Sequence, residues 1–361
     1  MSLSRTSGLA AVMIAGALAL TACGSDGGSG STSSSAPAAS IDCASGSIKA
    51  SGSSAQKNAI AEWVNAYIAA CPDATIDYQA TGSGAGVTDF INKQTAFAGS
   101  DSALKEDEQP QADARCASGP AINIPMVGGA INVVYNVEGL DKLVLDAPTL
   151  AGIFNNTITK WNDPKIAALN SGATLPDATI AQFHRSDESG TTDNFTKYLI
   201  AKKAWDFDGG KAWVAPGGQG AKGSDGVASA VKSTANSIGY VELSFAEDAG
   251  LSSAWIDNGN GPIEPTSDNA ATTISSATVK GTGNNLPLDI DRAGTKGYPI
   301  VLVTYEITCE KGLSGTDLDV TKSFLTYTSS ADGQAVLSAN GYVPISGDLL
   351  TKVQAAVAAI G

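Results

Sequence analysis

The sequence predicts an α/β fold in two domains, and three observations carry that prediction. Short apolar strands run into helical patterns through glycine- and serine-rich turns at residues 52–54, 82–86 and 189–191. Two strongly apolar stretches, 121–137 and 298–305, lie where the chain can leave a first domain and return to it. A length of 361 residues is enough for two domains of ordinary size, each with its own core. The formal net charge of −14 argues against polyanionic partners such as nucleic acid. An anion bound by this chain is held against the protein's own long-range field, so local groups must dominate.

Residues 1–23 read as a targeting segment. Arg5 is a minimal positive region, Leu9 to Leu20 is an apolar run too short to span a bilayer, and Leu20-Thr21-Ala22-Cys23 follows. That ending resembles the lipobox of bacterial lipoproteins, which implies lipidation of Cys23. Residues 24–45 are rich in glycine, serine and alanine and read as a flexible tether. With Cys23 set aside, Cys43, Cys71, Cys116 and Cys309 form an even set in an exported chain, so disulfides are expected rather than metal ligation. There is no Cys-x-x-Cys pair and the chain has a single histidine, which argues against structural zinc. Three connectivities are open. The favoured one joins Cys43 to Cys71, each just before a predicted strand, and leaves Cys116 with Cys309. The first of these loops would contribute about 3–4 kcal/mol in the chain-entropy model.

In chain order, Ile48-Lys49-Ala50 reads as a strand and Gly52-Ser53-Ser54 as the turn into a helix, whose apolar stripe is Ile60, Trp63, Val64, Tyr67 and Ile68. Ser54 sits where an N-cap would sit. Thr75 to Gln79 is a strand, and Gly82 to Gly86 opens a helix with Val87, Phe90 and Ile91 as its apolar face. Ala96 to Gly99 is a short buried strand that ends at Ser100-Asp101, where open α/β sheets place ligands. The stretch 121–137, broken by Pro125 and Gly128-Gly129, is two strands or one kinked ribbon. Short helices follow at Thr149 to Phe154 and Pro164 to Leu169, then a strand at 179–184. The next helix starts near Thr192, with Phe195, Tyr198, Leu199 and Ile200 on one side. Residues 216–226 read as a glycine-rich surface connector, without the order a Walker A loop requires. Ile238 to Leu243 is a strand, 268–277 a helix and 287–297 a polar link. Tyr298 to Tyr305 is a buried return strand, and helices at about 316–328, 330–339 and 347–360 close the chain.

Three strand-to-helix turns thus offer hydroxyls and free N–H groups: Ser54 with Ala55, Ser83, and Ser189-Gly190-Thr191. Helix N-termini favour anions. Arg185 adds a fixed cation with a planar fork of donors, and Asp187 is placed to orient it. Asp101 is the discriminating member, because a carboxylate facing an anion is repulsive unless the anion brings a proton. Hydrogen phosphate does so and sulfate at neutral pH does not. His184, the lone histidine, alternates with Phe183 on a strand and reads as structural.

Four segments in this order, Gly52-Ser53-Ser54, Tyr78 to Val87, Phe97 to Asp101 and Arg185 to Thr191, resemble the ligand loops of the phosphate-binding proteins of the Pst phosphate ABC transporter. The segments Trp161-Asn162-Asp163, Gly223-Ser224-Asp225-Gly226, Ile238 to Glu242 and Gly341 to Pro344 also resemble landmarks of that family, from about residue 46 to the end. The resemblance implies a two-domain Venus-flytrap fold of the type II periplasmic-binding-protein class, with the ligand cleft between the domains. Domain I would comprise 46–126 and 299–361, and domain II 127–298. It implies that Ser54, Ala55, Ser83, Asp101, Arg185, Ser189, Gly190 and Thr191 contact inorganic phosphate. It further implies no enzyme activity and no cofactor or metal. The chain would be a monomer, anchored through Cys23 to the outer face of the bacterial cell membrane, and would deliver phosphate to the permease and ATPase subunits of an ABC transporter. Ser54 stands where threonine is common in the family, which keeps the hydroxyl. Glu188 stands where a small residue is common and is expected to point to solvent. The competing readings are a secreted phosphohydrolase with the same oxyanion cradle, and a receptor for sulfate, molybdate or a phosphonate.

Overall fold

The computed structural model describes residues 41–116 and 118–361. The targeting segment, Cys23 and most of the tether lie outside the described residues. The chain opens with β1 (Gly46–Gly52), α1 (Lys57–Ala70), β2 (Ala74–Gln79), α2 (Ser83–Ile91), β3 (Phe97–Ser100) and α3 (Gln109–Cys116). Strand β1 pairs in parallel with β2 on one side and β3 on the other. The stripe expected on α1 is present, with Ile60, Trp63 and Tyr67 buried, each side chain stabilising the packing by about 1.5–3 kcal/mol. Trp63 also donates its indole N–H to the Gly333 carbonyl at 2.6 Å.

Ala121–Asn136 forms one continuous 16-residue strand, β4, rather than two. It is followed by β5 (Val144–Asp146), α4 (Ala147–Phe154), α5 (Pro164–Leu169), β6 (Ala181–Arg185), α6 (Gly190–Ala201), β7 (Gln219–Ala221), α7 (Gly223–Ser233), β8 (Ser237–Glu242) and α8 (Leu243–Ala249). Small pieces come next: β9 (Ser252–Ser253), β10 (Trp255–Asp257), β11 (Pro262–Ile263), α9 (Ser267–Ile274), β12 (Thr278–Val279) and β13 (Leu288–Asp289). Last come β14 (Val301–Cys309), α10 (Thr316–Thr328), α11 (Ala331–Ser338), β15 (Val343–Pro344) and α12 (Gly347–Ala358).

The main sheet runs in the order β2-β1-β3-β14-β4-β8-β6-β7. Its outer groups, β2-β1-β3 and β8-β6-β7, are parallel, and the antiparallel strands β14 and β4 join them. The first part of β4, through Ala130, pairs with β14, and Ile131 onward pairs with β8. The register shifts where Thr304 and Tyr305 face Val127 and Pro125, so the expected kink at Pro125 is a bulge inside one strand. A Cβ on Gly129 would come within 3.0 Å of Glu242 Oε1 and one on Gly128 within 2.6 Å of Ile274 Cδ1, so glycine admits close neighbours where the strand changes partner.

Several expectations are corrected. Strand β6 starts at Ala181, since Thr179 makes only an isolated bridge with Lys160. Helix α6 starts at Gly190 because Ser189, not a later residue, caps it by accepting from Thr192 N–H. Ile200 is exposed and does not share the buried face of Phe195, Tyr198 and Leu199. The 216–226 connector contains β7 and the start of α7. The 287–297 link includes β13 and a buried Arg292, which donates to the Val301 carbonyl and to the Asn194 side chain. Cys43 joins Cys71 and Cys116 joins Cys309. Among the described residues, no helix is long and apolar enough to cross a membrane.

Glu242 ends β8 opposite Ile131 of β4, and its Oε2 accepts from Ser244 N–H at 2.9 Å and Ser244 Oγ at 2.6 Å. Burial pushes its carboxyl up to about 8 from an ordinary value of 4.5. The folded protein therefore keeps a proton that the unfolded chain releases, and this group's contribution to stability falls as pH rises from about 4.5 to about 8. Glu242→Gln removes that dependence. The loss of unfolding free energy between pH 5 and pH 8 should shrink by about 2–4 kcal/mol in urea titrations. An unchanged loss would contradict a protonated Glu242.

Candidate functional site

At the end of β1, Gly52 has φ of 138°, and a Cβ there would meet the Gly99 carbonyl oxygen of β3 at 2.0 Å. Glycine lets the two strand ends approach, and the Ser53 N–H bonds to that same carbonyl at 2.7 Å. The turn therefore brings Ser53 against Asp101, just beyond β3, and the Ser53 hydroxyl donates to Asp101 Oδ1. Ser54 is not the cap of α1. Gln56 holds the N-cap position without a side-chain bond. Instead the Ser53 Oγ accepts from the N–H groups of Ala55 at 3.1 Å and Gln56 at 3.4 Å. Ser54 is left free to reach across to α7, where its Oγ lies 3.1 Å from Ser224 Oγ and accepts from Ser224 N–H at 3.1 Å.

Asp101 is the centre of the cluster and is 3% exposed. Besides Ser53, three hydroxyls donate to its carboxylate: Thr304 to Oδ1 at 2.8 Å, Thr191 to Oδ2 at 3.3 Å and Ser83 to Oδ2 at 3.5 Å. The Ser83 Oγ also accepts from Asp101 N–H at 3.2 Å. Asn194 binds the Asp101 carbonyl at 2.6 Å and the Gly190 carbonyl at 2.9 Å, tying the first turn of α6 to the end of β3. Burial raises the Asp101 carboxyl above its ordinary value, while the Ser53, Thr304 and Thr191 hydroxyls and the charge of Arg185 pull it back down. Glu306 is also buried and is pushed up to about 8, first by burial and further by the charge of Asp101. The two buried carboxyls are near enough for the charge of Asp101 to raise Glu306, and Asp101 is the one met by four hydroxyl donors.

Arg185 ends β6 and is 2% exposed. Its Nε and one terminal nitrogen meet the two oxygens of Asp187 at 2.8 and 2.5 Å. Asp187 also accepts from Gly223 N–H at 3.0 Å, so one carboxylate fixes both the guanidinium and the start of α7. The Arg185 pair draws the Asp187 carboxyl below its ordinary value, overcoming the opposing effect of burial. Glu188 is exposed, yet its carbonyl accepts from Gly84 N–H at 3.0 Å and helps hold α2 against this loop. His184 stacks on Trp213 with ring centroids 4.7 Å apart, and burial lowers its pKa.

The structure brings Ser83, Asp101, Gly190 and Thr191 into one cluster, with Ser54, Arg185 and Ser189 buried beside it. The Ala55 N–H is buried and engaged by Ser53, and the Ser189 hydroxyl is engaged in capping α6. The site residues that sequence reasoning missed are Ser53, Ser224, Asn194 and Thr304. Ser53 and Ser224 stood inside motifs already noticed, and the 216–226 segment supplies Ser224 instead of being a plain connector. A threonine within the apolar run 300–305 was the available signal for Thr304. In chemical terms the arrangement gathers hydroxyl and N–H donors of α2, α6 and α7 and of the turn before α1, together with one cation and one proton acceptor.

The chain resembles known proteins along its whole length. The model of the PBP superfamily domain matches residues 37–332. Over 374 residues, and the whole of both chains, the sequence is 46% identical to phosphate-binding protein PstS 3 of Mycobacterium tuberculosis. It is 41% identical to phosphate-binding protein PstS 2 of the same organism, again over the whole of both chains. Among solved structures, the phosphate-binding protein from Stenotrophomonas maltophilia superposes with a TM-score of 0.66 at 20% identity, covering 86% of this chain and 93% of that one. A high affinity periplasmic phosphate-binding protein solved with phosphate bound gives a TM-score of 0.69 at 22% identity, covering 86% of this chain and 93% of its own. At such identities the structural likeness establishes the α/β periplasmic-binding-protein fold.

Gly190 has no room for a side chain, because a Cβ would lie 2.6 Å from Asp101 Cβ and 2.7 Å from Ser83 Oγ. Gly190→Ala should therefore destabilise the protein by about 1–3 kcal/mol in urea denaturation. Gly226→Ala, in α7 with its nearest atom at 3.6 Å, should be neutral or stabilising. Equal effects of the two substitutions would contradict the close packing of α6 on Asp101.

Proposed function

The chain belongs to the PBP superfamily and, within it, to the phosphate-binding proteins named PstS, and from that premise we propose that it binds inorganic phosphate for uptake by an ABC transporter. The observation that carries the proposal is Asp101, a buried carboxylate set among four hydroxyl donors and next to the Arg185–Asp187 pair. On this reading Ser54, Ser83, Ser189 and Thr191, the N–H groups of Ala55 and Gly190, and the Arg185 guanidinium turn toward the phosphate oxygens. The Ser83 and Thr191 hydroxyls, which donate to Asp101 in this structure, rotate to the ligand, and a phosphate O–H donates to Asp101 in their place. An anion without a proton would set two acceptors against each other in a dry site, which is the physical basis of selection.

The proposal extends to the motion. Residues 46–126 with 299–361 would form one lobe and 127–298 the other, with β4 and β14 as crossing strands and Gly128-Gly129 near the hinge. Several bonds support the reading that this conformation is the closed one. Ser54 meets Ser224, the Gly84 N–H meets the Glu188 carbonyl, and Asn58 donates to Ser244 Oγ at 3.0 Å and Asp248 at 2.9 Å. The chain would act as a binding protein and not as an enzyme. His184, packed against Trp213, has no role in proton transfer on this reading. Anchoring through a lipidated Cys23 on the outer face of the cell membrane and delivery to a permease complete the proposal.

Arg185→Ala removes a charge-assisted donor and leaves Asp187 partly buried without its partner. Calorimetry should show phosphate affinity falling by about 2–5 kcal/mol, at least about thirtyfold in Kd. Unchanged phosphate binding in that variant would remove Arg185 from the site. Asp101→Asn replaces the acceptor with a group that can donate. The ratio of phosphate to sulfate affinity should drop by about tenfold or more, the equivalent of one hydrogen bond to a charged group. An unaltered ratio would show that Asp101 does not select the anion.

A further inference from the structure

Lys211 is the feature that neither the sequence motifs nor the anion site accounts for. It lies after α6, and its side chain is 1% exposed, a degree of burial that lysine almost never reaches without a partner. Its ammonium sits 3.0 and 3.1 Å from the two oxygens of Glu108, whose side chain is 18% exposed. Glu108 belongs to the other side of the cleft. It immediately precedes α3, which packs through Ala112 and Cys116 against Ala98 of β3 and Tyr305 of β14. Its Oε2 also accepts from Lys105 N–H at 2.9 Å, so the carboxylate is fixed before Lys211 arrives. At its other end, the Lys211 carbonyl accepts the Ser189 N–H at 2.8 Å, at the residue that caps α6 and opens the Ser189-Gly190-Thr191 segment. One residue thus holds the anion-facing turn by its backbone and grips the opposite lobe by its side chain.

We propose that Lys211 is a positioning residue that couples phosphate retention to lobe closure through its buried pair with Glu108. The proposal rests on the phosphate-binding reading above. When the lobes part, both charges regain water and their attraction is screened. When they close, the pair forms in a dry setting, where removing either partner strands the other charge. Lys57 and Asp225 also link the two sides, at 2.8 Å, but both are about half exposed, so solvent screens that pair and it contributes little. A variant lacking the buried pair populates the closed form less, and its apparent Kd rises by that fraction, chiefly through faster release.

The test is stopped-flow and equilibrium binding of inorganic phosphate, followed by tryptophan fluorescence, on the native protein and on Lys211→Met, Glu108→Gln, the double variant and Lys211→Arg. Each single substitution should raise Kd at least about tenfold with most of the change in the dissociation rate. The double variant should lose less than the product of the two single losses, and Lys211→Arg should recover part of the affinity. Kd values within twofold of native for both singles, or losses that multiply in the double variant, would overturn the proposal. Glu108→Gln keeps the lysine and reads the same coupling should Lys211→Met fail to fold. Native protein that takes up no phosphate in this assay would defeat the phosphate-binding reading and the latch with it. Native binding with unaffected variants would defeat the latch alone.

Discussion

The cost of burying the Asp101 carboxylate is the constraint from which the rest of the site follows. A carboxylate removed from water must be met by donors, and here four hydroxyls from four separate segments supply them: Ser53, Ser83, Thr191 and Thr304. Each comes from a different segment, so satisfying one side chain fixes the relative placement of the turn after β1, α2, α6 and β14. Glycine makes the approach possible at Gly52 and Gly190, where a Cβ would strike neighbouring backbone or Asp101 itself. The nearby Glu306 obeys the same constraint, since burial and then the charge of Asp101 push its carboxyl up to about 8.

The sheet turns that local requirement into a two-sided device. The parallel groups on either side supply strand ends and helix starts that meet around Asp101, and the antiparallel pair β4 and β14 runs between them. Strand β4 changes partner at Ala130 and Ile131, beside two glycines and the buried Glu242. Ser244 links that carboxyl to Tyr342, whose hydroxyl donates to the Ala55 carbonyl at 2.7 Å. The middle of β4 and the turn before α1 are therefore joined by one chain of hydrogen bonds. The Ile238 to Glu242 and Gly341 to Pro344 motifs, which touch no ligand in the proposed site, find a physical role there.

Much of this was legible in the sequence because it rests on local rules. The apolar stripe of α1, the Asp163 cap and Pro164 start of α5, and the three closing helices follow from periodicity and capping within a few residues. The segments that gather around Asp101 were legible for a different reason, since several strand-to-helix turns with hydroxyls and glycine occur in the order of a known family. What escaped depends on long-range contact. Ser53 rather than Ser54 meets Asp101 because Gly52 touches β3, and Ser224 is drawn into the site only when α7 packs beside Ser54. Thr304 shows only as a threonine inside an apolar run and Lys211 has no local signature, because their partners lie 203 and 103 residues away.

The central claim is that a buried proton acceptor chooses the anion, and sulfate competition against phosphate on the native protein at neutral pH tests it most directly. A thousandfold excess of sulfate should leave the phosphate isotherm unmoved, because sulfate brings no proton to Asp101. Displacement of phosphate by sulfate at comparable concentrations would contradict it.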